Sequence, residues 1–269
     1  MLELKSMSIE GTEYGHYAGF GTSDVQSSRF NGCVFGTFVA NDHNCTVTDC
    51  YFVENDIGVW TYSGSDVTHI VNCDFTSSIY DAVGVEAQSR HWTQVEDTRF
   101  HELGSMGVQY SSHANGRITG CTFTDCAFSS VEVDNGSSLI IDDCEMTGGV
   151  HNIYGGVHCV ITGSGNTLHG GTDSTIALQE TDAGMTDSVI RAQPGGWLIW
   201  LFNYVELPVL HLDFTHNDWG YDDADSITAL IWDGNDDPSL YGVVDFEPFN
   251  APQVANEDVS WGELKELYR

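Results

Sequence analysis

Asp49-Cys50-Tyr51-Phe52 returns along the chain at a nearly fixed interval. It is preceded by Gly32-Cys33-Val34-Phe35 and followed by Asn72-Cys73-Asp74-Phe75, Asp97-Thr98-Arg99-Phe100, Gly120-Cys121-Thr122-Phe123 and Asp143-Cys144-Glu145-Met146. Weaker copies close at Leu168, Ile190 and Phe214. The closing apolar residues stand 17, 23, 25, 23, 23, 22, 22 and 24 positions apart. A period in this range marks a chain of stacked repeats, none of which can bury its apolar face alone.

A second phrase keeps step: Gly58-Val59-Trp60, Gly84-Val85-Glu86, Gly107-Val108-Gln109, Ser130-Val131-Glu132, Asn152-Ile153-Tyr154, Thr175-Ile176-Ala177 and Leu198-Ile199-Trp200. A third run of β-branched residues precedes each Cys phrase, as in Thr46-Val47, Ile70-Val71, Ile118 and Leu139-Ile140-Ile141. Alternation within each run has period two, and Gly, Asn, Asp and Ser separate the runs. Three short strands per period of 22–25 residues describe an all-β, right-handed, single-stranded parallel β-helix of about nine coils. At roughly 4.8 Å per coil the rod is on the order of 40 Å long. The expected division is a β-helix over 1–215, a C-terminal cap over 216–250, and a linker with a short amphipathic helix over 251–269.

Forty acidic residues face eight basic ones, a formal charge of −32 in a chain that is 41% hydrophobic. The regular apolar pattern excludes disorder. Such charge suits molar salt, where the Debye length falls to roughly 3 Å and neighbouring carboxylates barely repel. The composition resembles that of haloarchaeal proteins and their viruses, and it disfavours nucleic-acid binding. Five of eight cysteines (Cys33, Cys50, Cys73, Cys121, Cys144) occupy one repeat position, which predicts a buried ladder of free thiols. No apolar stretch is long enough to insert in a membrane. Met1-Leu2-Glu3-Leu4-Lys5 is not a secretory leader, so the expectation is folding inside the cell.

These repeats resemble the pectin-lyase-like β-helix proteins. The stretches Asn217-Asp218-Trp219-Gly220, Ile231-Trp232-Asp233-Gly234-Asn235-Asp236-Asp237-Pro238 and Gly242-Val243-Val244-Asp245-Phe246-Glu247-Pro248-Phe249 are similar to their closing segments. The resemblance implies a groove along one sheet in polysaccharide-active members. Residues after the Gly-Val positions would line it: Trp60, Gln109, Tyr154 and Trp200 for stacking and hydrogen bonding to sugars, and Glu86 and Glu132 as candidate acid and base. Two coils separate the two carboxylates, roughly 10 Å, near the upper limit of an inverting pair. The polygalacturonase motifs (paired Asp, Gly-His-Gly, Arg-x-Lys) are missing. Arg99 and Arg117 lie in strand-like runs but match no lyase motif, and His91, His101, His113, His151, His158 and His169 show no metal spacing and read as loop or surface residues.

The expected function is therefore that of a non-enzymatic structural rod on a halophilic virion surface, as a spike, fibre or capsid turret, with host surface glycans as ligands. The resemblance implies a homo-trimer, with other virion or surface proteins at the rod ends. The alternatives are a polysaccharide hydrolase or lyase, and a glycan-binding or adhesin-like module of a cell surface. No cofactor is expected. Asp233, Asn235 and Asp237 alternate as calcium ligands do, but Pro238 and Val244 stand where Gly and Glu are needed, which favours an acidic turn over structural calcium. Ser260-Trp261-Gly262-Glu263 forms a capping box, and Trp261, Leu264, Leu267 and Tyr268 share the face of a helix that would dock on a partner.

Overall fold

The computed structural model describes residues 2–41, 43–64, 67–202 and 212–250. Each turn of chain lays down one strand in each of three parallel sheets, so that from Leu2–Lys5 to Asp182–Thr186 every strand pairs with the one three strands later. Among the described residues the first sheet has 11 strands, the second nine and the third ten, which makes nine turns with all three sides present. The Cys phrases begin the second sheet, the Gly-Val phrases form the third, and the β-branched runs form the first. The predicted segment 251–269, with its docking residues Trp261, Leu264, Leu267 and Tyr268, lies outside the described residues.

Alternate side chains of each strand point inward and stack on their equivalents. Val25, Val47, Ile70, Val95, Ile118 and Ile141 form one inner column. Val59, Val85, Val108, Val131, Ile153, Ile176 and Ile199 form another. On the second sheet Ile9, Phe30, Phe52, Phe75, Phe100, Phe123, Met146, Leu168 and Ile190 are in register. Ring centroids from Phe30 to Phe123 are 4.5–5.0 Å apart with planes within 10° of parallel. The coil rise dictates this stacking.

The register corrects two copies of the opening phrase. Phe35 pairs with Ile57 and belongs to the third sheet. The true copy of the phrase is Ser27-Ser28-Arg29-Phe30, so the irregular spacing of 17 becomes 22. Cys33 leaves the cysteine column with it. At the far end Leu212–Asp213 pairs with Ala183–Gly184, which puts Phe214 over Met185 in the first sheet. The column ends instead on Trp219, whose neighbour Asp218 bridges Val189.

One left-handed residue per coil makes the corner between the first and second sheets. Ser6, Ser27, Asp49, Asn72, Asp97, Gly120, Asp143, Gly165, Asp187 and His216 all have φ between 48° and 68°. Glycine adopts this region freely and short polar side chains tolerate it, which is why Asp, Asn, Ser and Gly dominate here.

The next corner position is Ser28, Cys50, Cys73, Thr98, Cys121, Cys144, Asn166, Ser188 and Asn217. Ser28, Thr98 and Ser188 each donate to the carbonyl two residues back and accept a backbone N–H from the preceding coil. The cysteines make the same donation, at 3.2–3.4 Å. Asn166 and Asn217 accept the N–H of Cys144 and Ser188. The column therefore supplies small hydrogen-bonding groups to buried backbone, and is more than a ladder of apolar thiols.

The sheets continue into the expected cap. Ile231–Trp232 extends the third and Val244–Asp245 the first. Ahead of both in the chain lies a helix over Ala224–Thr228, capped by Asp223, which accepts the Ser226 N–H. Trp219, Phe214, Ile227 and Ile231 are buried and close this end of the core.

Candidate functional site

The outer face of the third sheet carries one continuous column. Tyr17, Phe38, Trp60, Glu86, Gln109, Glu132, Tyr154, Ala177, Trp200 and Trp232 stack coil by coil. All six residues expected to line a groove fall in it. Strand alternation explains this: each follows an inward aliphatic of the Val59–Ile199 column and so points outward.

Toward the N-terminal end the column widens into an array of rings. Tyr14 stacks on Phe35 at 5.2 Å, and Tyr17 lies 5.4 Å from Phe38. Trp60 contacts Phe35 at 4.9 Å and Phe38 at 4.8 Å, with Tyr62 5.6 Å beyond it. Tyr14, Tyr17 and Tyr62 are exposed, and Phe35, Phe38 and Trp60 are half-buried. At the other end Trp200 stacks on Phe202 at 4.8 Å, and Trp197 lies 5.7 Å from Trp232. Tyr17 and Phe38 escaped the sequence reading because their phrases are Gly15-His16-Tyr17 and Gly36-Thr37-Phe38, without the aliphatic. The spacing of Gly15, Gly36 and Gly58 was the available signal.

Between the aromatic ends lie the two carboxylates. Glu132 is only 9% exposed and accepts a 2.8 Å hydrogen bond from Gln109 Nε2. Glu86 accepts one from Gln88. Burial raises the pKa of each above the usual carboxylate range, against the lowering effect of its amide partner. Neighbouring negative charge adds to the rise, from Glu132 at Glu86 and from Asp134 at Glu132. Tyr154 is raised too, first by burial and then by Glu132. Gln109 stands between the carboxylates in the stack.

Elsewhere the polar groups serve the scaffold. Arg117 pairs with Asp142 at 2.7 Å, Arg191 with Asp218 at 2.9 Å, and Asp74 receives both Arg99 and His101. The Asp74–Arg99 pair borders a depression of about 400 Å³ lined by Asp49, Tyr51, Asn72 and Asp97. His91 and His151, expected at the surface, are buried against Thr68 and Ser174 at 2.9 and 2.8 Å. In the acidic turn, Asp233 accepts N–H groups from Asn235 and Val244 at 2.8 and 2.9 Å. Asp237 accepts from Ser239, which lowers its pKa. These carboxylates organise the turn, and among the described residues no group of three His, Cys, Asp or Glu forms a metal site.

Residues 58–203 match the family model described as the right handed beta helix region. The chain belongs to this family. The matched stretch contains the carboxylates and Trp197, Trp200 and Phe202 but begins within the N-terminal array. Among solved structures the chain is similar to a trypsin-treated form of QnrB1, a plasmid-mediated fluoroquinolone resistance protein, at 14% identity. That similarity covers 75% of this chain and 92% of the other with a TM-score of 0.22, too low to bear on fold or function. No curated protein matches the chain.

Proposed function

We propose that this protein is a rigid, non-enzymatic rod of a halophilic virion surface, and that the outer face of its third sheet binds host glycans. The observation that carries the glycan reading is the array Tyr14, Tyr17, Phe35, Phe38, Trp60 and Tyr62, which runs into Glu86, Gln109 and Glu132 in one column. Flat rings offer stacking surface to sugar faces, and adjacent carboxylate and amide groups match sugar hydroxyls. A stacked-coil scaffold holds these groups at fixed spacing before any ligand arrives, which limits the ordering cost of binding. The charge of −32 supports a setting in molar salt.

The test is calorimetric titration with haloarchaeal surface polysaccharides in molar salt. Saturable binding that weakens at least tenfold in Trp60→Ala is the expected result, and equal affinity in the variant sinks the reading. Immunogold labelling of halophilic virions tests the placement; label confined to host cells would move the rod to the cell surface.

A second reading rests on the raised pKa values of Glu86 and Glu132, since a general acid needs a carboxyl that keeps its proton near working pH. Polysaccharide turnover abolished by both Glu86→Gln and Glu132→Gln would replace the non-enzymatic reading.

A further inference from the structure

We propose that Cys50 with Cys73, and Cys121 with Cys144, are two latent cross-coil disulfide sites, at which a small peroxide closes a covalent bridge between neighbouring coils. All eight cysteines are free and buried in this structure. The four named lie in the corner column, and within each pair the residues stack directly. The Cys50 carbonyl accepts the Asp74 N–H and the Cys121 carbonyl accepts the Glu145 N–H, each at 2.9 Å. In-register parallel chains place such Cα atoms about 4.8 Å apart, inside the roughly 4.4–6.8 Å range of cystines.

The sulfurs are also oriented alike. Each donates to the carbonyl two residues back in its own coil, so each thiol stands above the next. Cys50 and Cys73 also reach toward equivalent carbonyls of the coil before, those of Val25 and Val47, each at 3.6 Å, and Cys121 does the same toward Val95.

The column also predicts which bridges do not form. Thr98 separates Cys73 from Cys121 by a whole coil, about 10 Å between the two cysteines and beyond reach. Cys45 lies between Ser23 and Thr68, and Cys159 between Ser137 and Thr181. Cys33 faces Asn55, and Cys126 lies over Leu103. None of these four has a sulfur in the next coil.

The chemistry balances with hydrogen peroxide as oxidant. One thiolate attacks a peroxide oxygen and breaks the O–O bond, leaving a sulfenic acid and, after proton uptake, one water. The neighbouring thiol then attacks that sulfur, forms the S–S bond and expels a second water. Two sulfurs lose two electrons and two protons in total. Each bridge would tie two coils across 22 intervening residues in the middle of the rod.

The test treats folded protein with hydrogen peroxide and, separately, refolds denatured protein in a glutathione redox pair, so that burial cannot hide the outcome. Both samples are alkylated, digested without reduction and mapped by mass spectrometry. The expected map links 50 to 73 and 121 to 144, with Cys33, Cys45, Cys126 and Cys159 alkylated. Cys50→Ser should lose the first link and keep the second, with an unchanged far-ultraviolet spectrum, because Ser28 and Ser188 already hold that corner in other coils. Alkylation of all eight cysteines in both samples, or any link outside these pairs, overturns the proposal.

Discussion

At the corner between the first and second sheets, each coil places a small side chain that hydrogen-bonds buried backbone of its own or the neighbouring coil. Ser28, Thr98 and Ser188 donate with oxygen, and Cys50, Cys73, Cys121 and Cys144 make the same donation with sulfur. Cys50→Ser is therefore expected to leave urea stability within about 0.5 kcal/mol, whereas Cys50→Ala removes the donation to the Thr48 carbonyl and should cost about 0.5–1.5 kcal/mol more. Equal losses for both variants would mean that volume governs this corner. The recurrence of Cys is visible in the sequence, but its role is not, because Ser, Thr and Asn share the column without sharing a letter. A second residue-scale expectation concerns His16, buried in the third sheet beside Thr37. Burial, and then the nearby His43, lowers its pKa from 6.5 to about 4. The unfolded chain therefore binds the proton first, so stability is complete above about pH 6.5 and is lost as the pH falls toward 4, by about 3 kcal/mol at most. Urea titrations over this range should show a loss that His16→Gln reduces.

At the scale of the strand, glycine and the phenylalanine of the following coil form a coupled pair. A Cβ on Gly36, Gly58, Gly84 or Gly107 would lie 2.5–2.6 Å from the ring of Phe52, Phe75, Phe100 or Phe123 and equally close to the next coil's backbone. Where the ring gives way to Met146, Leu168 and Ile190, the glycine position becomes Ser130, Asn152 and Thr175. The stacked rings thus explain the glycines better than any turn does. Gly107→Ser should destabilise by about 2 kcal/mol or more through overpacking, and adding Phe123→Met should recover at least about 1 kcal/mol of it. A strictly additive double mutant would refute the coupling. The same strands carry the candidate face. Glu86, Gln109, Glu132, Tyr154, Trp60 and Trp200 were legible because each follows a Val or Ile that recurs at the repeat period. Tyr17 and Phe38 were not, because His16 and Thr37 replace the aliphatic that marks the phrase.

Over the whole molecule, 40 acidic residues stand against eight basic ones, and among the described residues three of the arginines are already ion-paired. Raising sodium chloride from about 0.1 to 1 M shortens the Debye length from roughly 10 to 3 Å, so the melting temperature should rise steeply over that interval. The check is thermal denaturation followed by circular dichroism, with sucrose as the uncharged control; a flat salt response would remove self-repulsion as a determinant of stability. The period, the three strands per turn and the acidic surface were all determined by sequence alone, because a repeated inward pattern has few other ways to bury itself. Only the tertiary structure decided where the columns begin and end. Phe35 and Phe214 fit the spacing yet belong to other sheets, and Phe30 and Trp219 take their places. A period counts residues along the chain, whereas a column is set by which backbone groups hydrogen-bond across coils. Corner lengths that vary between coils separate the two.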